Sequence, residues 1–460
     1  MSADAPTQDD GTAPSRRTAP PAPGHGALDS PAARLEVDPL LDDPRTRIVV
    51  CCGSGGVGKT TTAAALGVRA AERGRKAVVL TIDPARRLAQ SMGISELDNV
   101  PRRVKGVDES AGGELHAMML DMKRTFDEIV EAHADAERAR AILENPFYQS
   151  LSAGFAGTQE YMAMEKLGQL RTRDAWDLII VDTPPSRSAL DFLDAPKRLG
   201  SFLDGKFIRV LMAPAKAGGR AGMKFLNVGM SMMTGTLSKI MGGQLLRDVQ
   251  TFAAAMDTMF GGFRTRADAT YRLLQAPGTA FLVVAAPERD ALREAAYFVE
   301  RLAAEQMPLA GLVLNRVHGS GAAQLSAERA LAAAEALSEP SDARSENLGG
   351  DGIVDLEAGK ADSRTADGPS PAAADPSTTD DSPSAARLAA GLLRLHAERM
   401  HVLARERRTR DRFTALHPEV PVAEIAALPG DVHDLAGLRA IGERLAVQER
   451  GAEESGDGEG

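Results

Sequence analysis

The glycine-rich stretch GSGGVGKT, at residues 53–60, is the feature that most constrains the fold. It satisfies the pattern G-x-x-x-x-G-K-[ST], which forms a loop whose backbone N–H groups surround phosphates. An apolar run, RIVVCC, precedes the loop, and a good helix former, TTTAAALGVRAAERG, follows it and ends at Gly74. This order of strand, loop and helix predicts an α/β fold with a parallel sheet.

Further apolar runs support the same fold class. They are nearly continuous, as strands buried on both faces are. Longer amphipathic stretches separate them, which predicts helices that flank the sheet. The runs are KAVVLTID (76–83), ELHAMML (114–120), WDLIIVDT (176–183), GTAFLVVAA (278–286) and LAGLVLNRV (309–317), and a last strand, a turn and a closing helix are expected within 418–445.

Composition divides the 460 residues into ordered and disordered parts. Residues 1–45 and 447–460 are predicted to be disordered tails, and 337–384 a flexible acidic insertion. The insertion interrupts one domain, formed by 46–336 and 385–446. The net charge of −10 is concentrated in the tails and the insertion. The remaining body is mildly basic, which does not require an anionic partner.

Two helical regions leave alternatives open. A methionine-rich stretch at about 196–270 predicts a helical insert, with either an ordinary methionine-filled core or a groove for hydrophobic segments. A long helix from about 385 places Leu388, Leu392, Leu395 and Val402 on one side, with arginines around them. No aromatic residues interleave with these arginines, so we expect no nucleic-acid partner.

The residues after the first strands carry the chemistry expected of a nucleotide site. Lys59 is expected to contact the β- and γ-phosphates, and the Thr60 hydroxyl to ligate Mg²⁺. Asp182 ends a strand, where it either holds the same ion through water or makes a turn. Asp83 ends another strand at the edge where ligands of such sheets bind. It either serves the attacking water or caps the following turn.

Several motifs together resemble the ArsA-type ATPases, a family that contains the arsenite-pump ATPase and the guided-entry targeting ATPase of tail-anchored membrane proteins. The resemblance covers most of 46–318 and resumes at about 385–446. It implies a P-loop NTPase of the deviant Walker A lineage, with ATP and Mg²⁺ bound at a dimer interface. The motifs are GSGGVGKTTTAAALG, TIDPARRLAQSMG, IIVDTPPSRSALDFLDAP, VVAAPERDALREAAYFVERL and GLVLNRV.

The resemblance also assigns residues by position. Asp83 matches the switch I aspartate that serves the attacking water, and Asp182 begins switch II. Asn315 matches the asparagine that reads adenine, and the segment around Pro421 matches the loop that closes over it. Lys59 and Asp83 are therefore the expected catalytic residues, and Thr60 and Asp182 the metal ligands. The expected nucleotide-binding residues are Gly53, Ser54, Gly55, Gly56, Val57, Gly58, Lys59, Thr60, Thr61, Asn315 and Pro421.

Ser54 departs from the family pattern. Members usually carry a lysine at this position, which reaches across the dimer to the partner's nucleotide. Either a homodimer of this chain hydrolyses ATP slowly, or Arg86, Arg87 or Arg187 replaces the lysine, or the chain pairs with a paralogous ATPase that keeps it. We prefer the heterodimer as the hypothesis.

The cysteines argue against arsenite activation. Cys51 and Cys52 are the only two and lie next to each other in the first strand, so they point to opposite faces and are buried. Such thiols make a poor metalloid site, and the interfacial CxxC zinc motif of the targeting ATPase is missing. This cysteine usage is typical of a reducing cytosol. No apolar run reaches about 18 residues, so we expect a cytoplasmic protein without a membrane span.

Three functions remain in competition. The first is an ATPase that couples hydrolysis to a membrane-linked partner or a hydrophobic client. The second is a regulatory subunit that hydrolyses little and stabilises an active paralogue; Ser54 favours it, whereas Lys59, Thr60, Asp83 and Asp182 argue against a dead site. The third is a ParA/MinD-type positioning ATPase. It ranks last because the C-terminus GAEESGDGEG is neither basic nor an amphipathic membrane helix.

Overall fold

The computed structural model describes residues 33–82, 87–94, 97–151, 159–184, 265–338 and 382–446, together with residues 252 and 262. An eight-stranded sheet forms the centre of this part of the chain. Its strands are β1 (Ile48–Cys52), β2 (Lys76–Thr81), β3 (Arg102–Arg103), β4 (Glu114–Met119), β5 (Leu178–Asp182), β6 (Thr279–Ala285), β7 (Leu309–Val317) and β8 (Val422–Ala426).

The strand order across the sheet is β3-β4-β2-β5-β1-β6-β7-β8. Every neighbouring pair is parallel except β3 and β4, which pair antiparallel at one edge. Every strand expected from the sequence is present, and the predicted parallel α/β fold is confirmed. Parallel strands end at the same edge, so the residues that follow β1, β2, β5 and β7 are brought together there.

Helices cover both faces of the sheet. Alternate residues of β1 enter two separate cores: Val50 packs beneath the helices at 159–173 and 289–304, and Val49 packs beneath the helices at 59–72 and 435–446. Residues 265–275 are also helical. The other helices are α1 (Val37–Asp42), α2 (Lys59–Glu72), α3 (Arg87–Ser91), α4 (Met122–His133), α5 (Ala136–Leu143), α6 (Pro146–Leu151), α7 (Gln159–Arg173), α8 (Arg289–Ala304), α9 (Ala327–Ser338), α10 (Ser382–Leu416) and α11 (Leu435–Ala446).

The predicted N-terminal disordered tail, 1–45, is too long, because residues 33–45 are ordered. The Leu35 N–H donates to the Val422 carbonyl at 3.1 Å, and the Val422 N–H donates to the Ala33 carbonyl at 2.8 Å. Leu35 and Leu41 are buried in the core beneath α2 and α11. These apolar residues are too few to alter the composition of the segment, and so the prediction missed them. Residues 1–32 lie outside the described part.

The helix predicted from 385 begins at Ser382 and packs against α9. Leu388, Leu392 and Leu395 share one side of it, as predicted, and this side is exposed by 67, 59 and 63%. The helix is buried instead through Ala390 and Ala397 and, further along, through Leu403 and Phe413. None of the described helices is long and apolar enough to cross a membrane. Most of the predicted methionine-rich insert and of the acidic insertion lies outside the described residues.

Candidate functional site

Two glycines determine the shape of the loop between β1 and α2. Gly58 has a φ of 94°, a conformation that favours glycine, and a Cβ there would collide with the amide nitrogen of Asn315. A Cβ on Gly53 would collide with the carbonyl oxygen of Val284 in β6. The loop is therefore held tightly against β6 and β7. Its chain then enters α2, whose first N–H groups have no partner within the helix and are available to an anion.

Lys59 lies within this loop rather than in solvent. Its side chain is buried, and its Nζ donates to the Ser54 carbonyl at 2.7 Å. Gly55 and Gly56 form the exposed tip of the loop. An ammonium group held at this position is available to a phosphate, which is a stronger acceptor than a peptide carbonyl.

Thr60 and Asp182 meet at the carboxyl edge of the sheet. Asp182 is fully buried, and its Oδ2 accepts hydrogen bonds from the Thr60 hydroxyl at 2.7 Å and the Thr81 hydroxyl at 2.9 Å. A hydroxyl beside a carboxylate fits Mg²⁺, which prefers oxygen ligands and is usually held by one or two carboxylates plus phosphates and water. Among the described residues, no group of three or more His, Cys, Asp or Glu forms a metal site by itself.

The end of β2 lies beside this pair. The Ile82 N–H donates to the Asp182 carbonyl at 3.0 Å, and Gln159, at the start of α7, donates its Nε2 to the Ile82 carbonyl at 2.7 Å. No sequence motif pointed to Gln159. Asp83 follows Ile82 directly but lies outside the described residues, as do Arg86, Arg187 and the side chain of Arg87.

A cleft of about 840 Å³ opens from the end of the glycine-rich loop, and we call it the main cleft. It runs from the start of α2 to the segment that follows β8, and its volume is in the range of small-molecule and cofactor sites. The structure therefore brings Asn315 to the same cleft as Gly58, Thr60 and Thr61. The lining residues are Gly58, Thr60, Thr61, Gln90, Ser91, Asn315, Arg316, His318, 425–433 and Ile441.

Pro421 is not among the residues that line the main cleft. It precedes β8, and its carbonyl accepts the Leu312 N–H at 2.8 Å. Because β8 is parallel to β7, its first residues lie at the edge opposite the glycine-rich loop. The loop after β8, with Pro429, lines the cleft instead.

Arg316 and His318 also line the cleft, and sequence reasoning missed them. His318 is held by Glu406 of α10, whose carboxylate oxygens contact the His318 ring Nδ1 at 2.6 Å and backbone N–H at 3.1 Å. The only sequence signal was their position one and three residues after Asn315. The contact with Glu406 joins residues far apart in the chain, which no local pattern reveals.

The two cysteines are buried, as predicted. Cys51 packs in the core beneath α2, and Cys52 packs in the core beneath α7. Burial raises the pKa of Cys52 to about 12 and places the pKa of Cys51 well above its usual value. Both thiols therefore stay protonated at neutral pH, which disfavours binding of a soft metal or metalloid.

The fold and the site define the class of protein. A glycine-rich loop between a central parallel strand and a helix, with Thr60 beside a strand-end aspartate, is the arrangement of a P-loop NTPase. The sequence profile of the ArsA_ATPase family, described as anion-transporting ATPase, matches residues 46–330. The chain belongs to this family.

Individual relatives are similar over parts of the chain. An ATPase GET3 of Malassezia globosa is 28% identical over 35% of this chain and 45% of its own length. A putative arsenical pump-driving ATPase of Halobacterium salinarum is 31% identical over 41% of this chain and 29% of its own. An ATPase GET3 of Podospora anserina is 26% identical over 65% of this chain and 83% of its own. The chain thus spans less than half the length of the first two.

Proposed function

We propose that this chain binds ATP with Mg²⁺ in the main cleft and hydrolyses it as part of a dimer. The observation that carries the proposal is the lining of the cleft: Thr60, whose hydroxyl contacts buried Asp182, lines it together with Asn315 and the loop after β8. The cleft thus has a hydroxyl beside a carboxylate for the phosphates and their ion, and an amide and a loop for the base. Membership of an ATPase family supports the same function.

Residues of the loop and of two strand ends have separate roles in the proposed hydrolysis. Lys59 exchanges the Ser54 carbonyl for a phosphate oxygen of ATP and neutralises charge as the bond to the γ-phosphorus breaks. Thr60 and Asp182 would hold Mg²⁺, which would supply charge stabilisation to the phosphates. Asp83 orients the water whose oxygen attacks the γ-phosphorus and accepts its proton, and ADP leaves with the bridging oxygen.

The other end of the cleft selects the nucleotide. Asn315 contacts the adenine base, and the loop at 427–433 closes over it. Arg316 and His318 extend the same wall and contact the ribose or the base. Pro429 takes the place that the sequence assigned to Pro421.

A second function is favoured by Ser54. Its short side chain offers no cation to the nucleotide of a partner subunit, although Lys59 and the Thr60–Asp182 pair are in place. The chain is then the weakly hydrolysing, nucleotide-binding half of a heterodimer whose paralogous ATPase carries the lysine. For both functions we propose that the protein acts in the cytoplasm.

Steady-state ATP hydrolysis separates the two. The purified chain is assayed alone and mixed with a lysine-bearing paralogue from the same cell, with Lys59→Ala as the control in each. Hydrolysis by the chain alone means that the homodimer compensates for Ser54. If the mixture hydrolyses ATP faster than the summed rates of the two separate proteins, the two chains form an asymmetric pair. If neither preparation hydrolyses ATP above its Lys59→Ala control, the proposed activity is rejected.

Coupling to a membrane-linked partner or a hydrophobic client completes the proposal. It rests on the family resemblance and on the methionine-rich composition of about 196–270. Such a client predicts saturable binding of an apolar helical peptide with different affinities in ATP and ADP. If the peptide does not bind, or binds with equal affinity in ATP and ADP, the hydrophobic client is rejected.

A further inference from the structure

Asn315 contacts the glycine-rich loop as well as the main cleft. It lies near the end of β7 and is only 7% exposed. Its Nδ2 donates to the Val57 carbonyl at 2.8 Å, and its Oδ1 accepts the Arg316 N–H at 3.0 Å. A side chain of β7 therefore holds a peptide group of the loop that begins after β1.

The neighbouring residues are shaped to allow this contact. Gly58 has no Cβ, and a Cβ there would overlap the Asn315 amide nitrogen. Arg316 has a φ of 62°, a left-handed conformation that is unfavourable for a residue with a side chain, and its N–H is directed to the Asn315 oxygen. The amide has two N–H groups and two lone pairs, so one of each remains for a base in the cleft.

We propose that Asn315 is a positioning residue for the phosphate-binding loop in addition to its base contact. The inference rests on the proposed nucleotide site. Without the amide, the Val57 carbonyl loses its partner and the loop loses its attachment to β7. Phosphate binding then weakens even for a ligand that has no base. A residue that only reads adenine leaves the affinity for such a ligand unchanged.

The test uses two ligands, Mg²⁺-ATP and Mg²⁺-tripolyphosphate, titrated calorimetrically into the full chain. Asn315→Ala is compared with Asn99→Ala, which removes a buried amide that hydrogen-bonds with Asp121 and Thr125, away from the loop. Loss of one such hydrogen bond predicts that Asn315→Ala binds tripolyphosphate about two- to tenfold more weakly than wild type. Asn99→Ala is expected to bind it as wild type does.

The outcomes separate the inference from the function. If wild type binds neither ligand, the proposed nucleotide site is wrong. If wild type binds both and Asn315→Ala weakens only ATP, the residue reads the base alone and the inference is overturned. In hydrogen exchange of the free chain, peptides spanning 53–58 should exchange faster in Asn315→Ala than in Asn99→Ala, and equal exchange also refutes it. If the alanine variant is unstable, the hydrogen-exchange measurement is repeated with Asn315→Asp, which has the same shape but lacks the amide N–H donor.

Discussion

Replacement of Thr60 by alanine tests the metal end of the site. The Thr60 hydroxyl donates to the fully buried carboxylate of Asp182 at 2.7 Å. A hydrogen bond to a charged group contributes about 1.5–3 kcal/mol, so Thr60→Ala should lower the free energy of unfolding by about that amount. The same hydroxyl is the proposed Mg²⁺ ligand. Adding Mg²⁺ should therefore raise the ADP affinity of Thr60→Ala about ten- to a hundredfold less than it raises the ADP affinity of wild type.

Thr60→Ser is the matched control because it keeps the hydroxyl. Its urea unfolding and its Mg²⁺-dependent ADP binding, measured by calorimetry, should stay close to wild type. If Thr60→Ala matches Thr60→Ser in both measurements, the hydroxyl neither supports Asp182 nor binds the ion. If only stability falls, the contact is structural and the metal assignment is refuted.

Three further predictions concern the supporting structure. Arg75 is buried and donates to four backbone carbonyls, so Arg75→Lys should lower the free energy of unfolding in urea by about 1–3 kcal/mol; an unchanged value contradicts this. The hydrogen bond from Arg69 lowers the pKa of Asp38 from 3.8. This contribution is fully present well above pH 3.8 and is lost as the pH falls from there through the folded pKa, so Asp38→Asn should destabilise the protein at pH 7 and progressively less as the pH falls below 3.8, measured by urea unfolding at several pH values. Thiol labelling at neutral pH should reach Cys51 and Cys52 only after urea is added; fast labelling of the folded chain contradicts their burial.

The sheet was predictable because its central strands are buried on both faces. Burial on both faces leaves continuous apolar runs such as those of β1 and β6, and these runs identify the strands in the sequence. β3 was missed because it consists of two exposed arginines, Arg102 and Arg103, that are ordered only by pairing with β4. Residues 33–45 were missed because their order comes from tertiary contacts with β8 and α2.

The site was predictable where local sequence determines its geometry. The glycine-rich loop needs particular backbone conformations, and these require glycine at fixed positions. Which residues near β8 line the main cleft depends on where β8 begins and ends, which the apolar pattern does not determine. The contacts of Asn315 with Val57 and of His318 with Glu406 join distant parts of the chain. Only the folded structure shows them.

Binding of ATP to wild type and Lys59→Ala tests the central claim most directly. Lys59 is buried within the loop, and its ammonium group is a proposed partner of the phosphates. Calorimetric titration in the presence of Mg²⁺ should show saturable binding to wild type and an affinity lower by about tenfold or more for Lys59→Ala. If the variant folds and binds ATP as wild type does, the main cleft is not the ATP site.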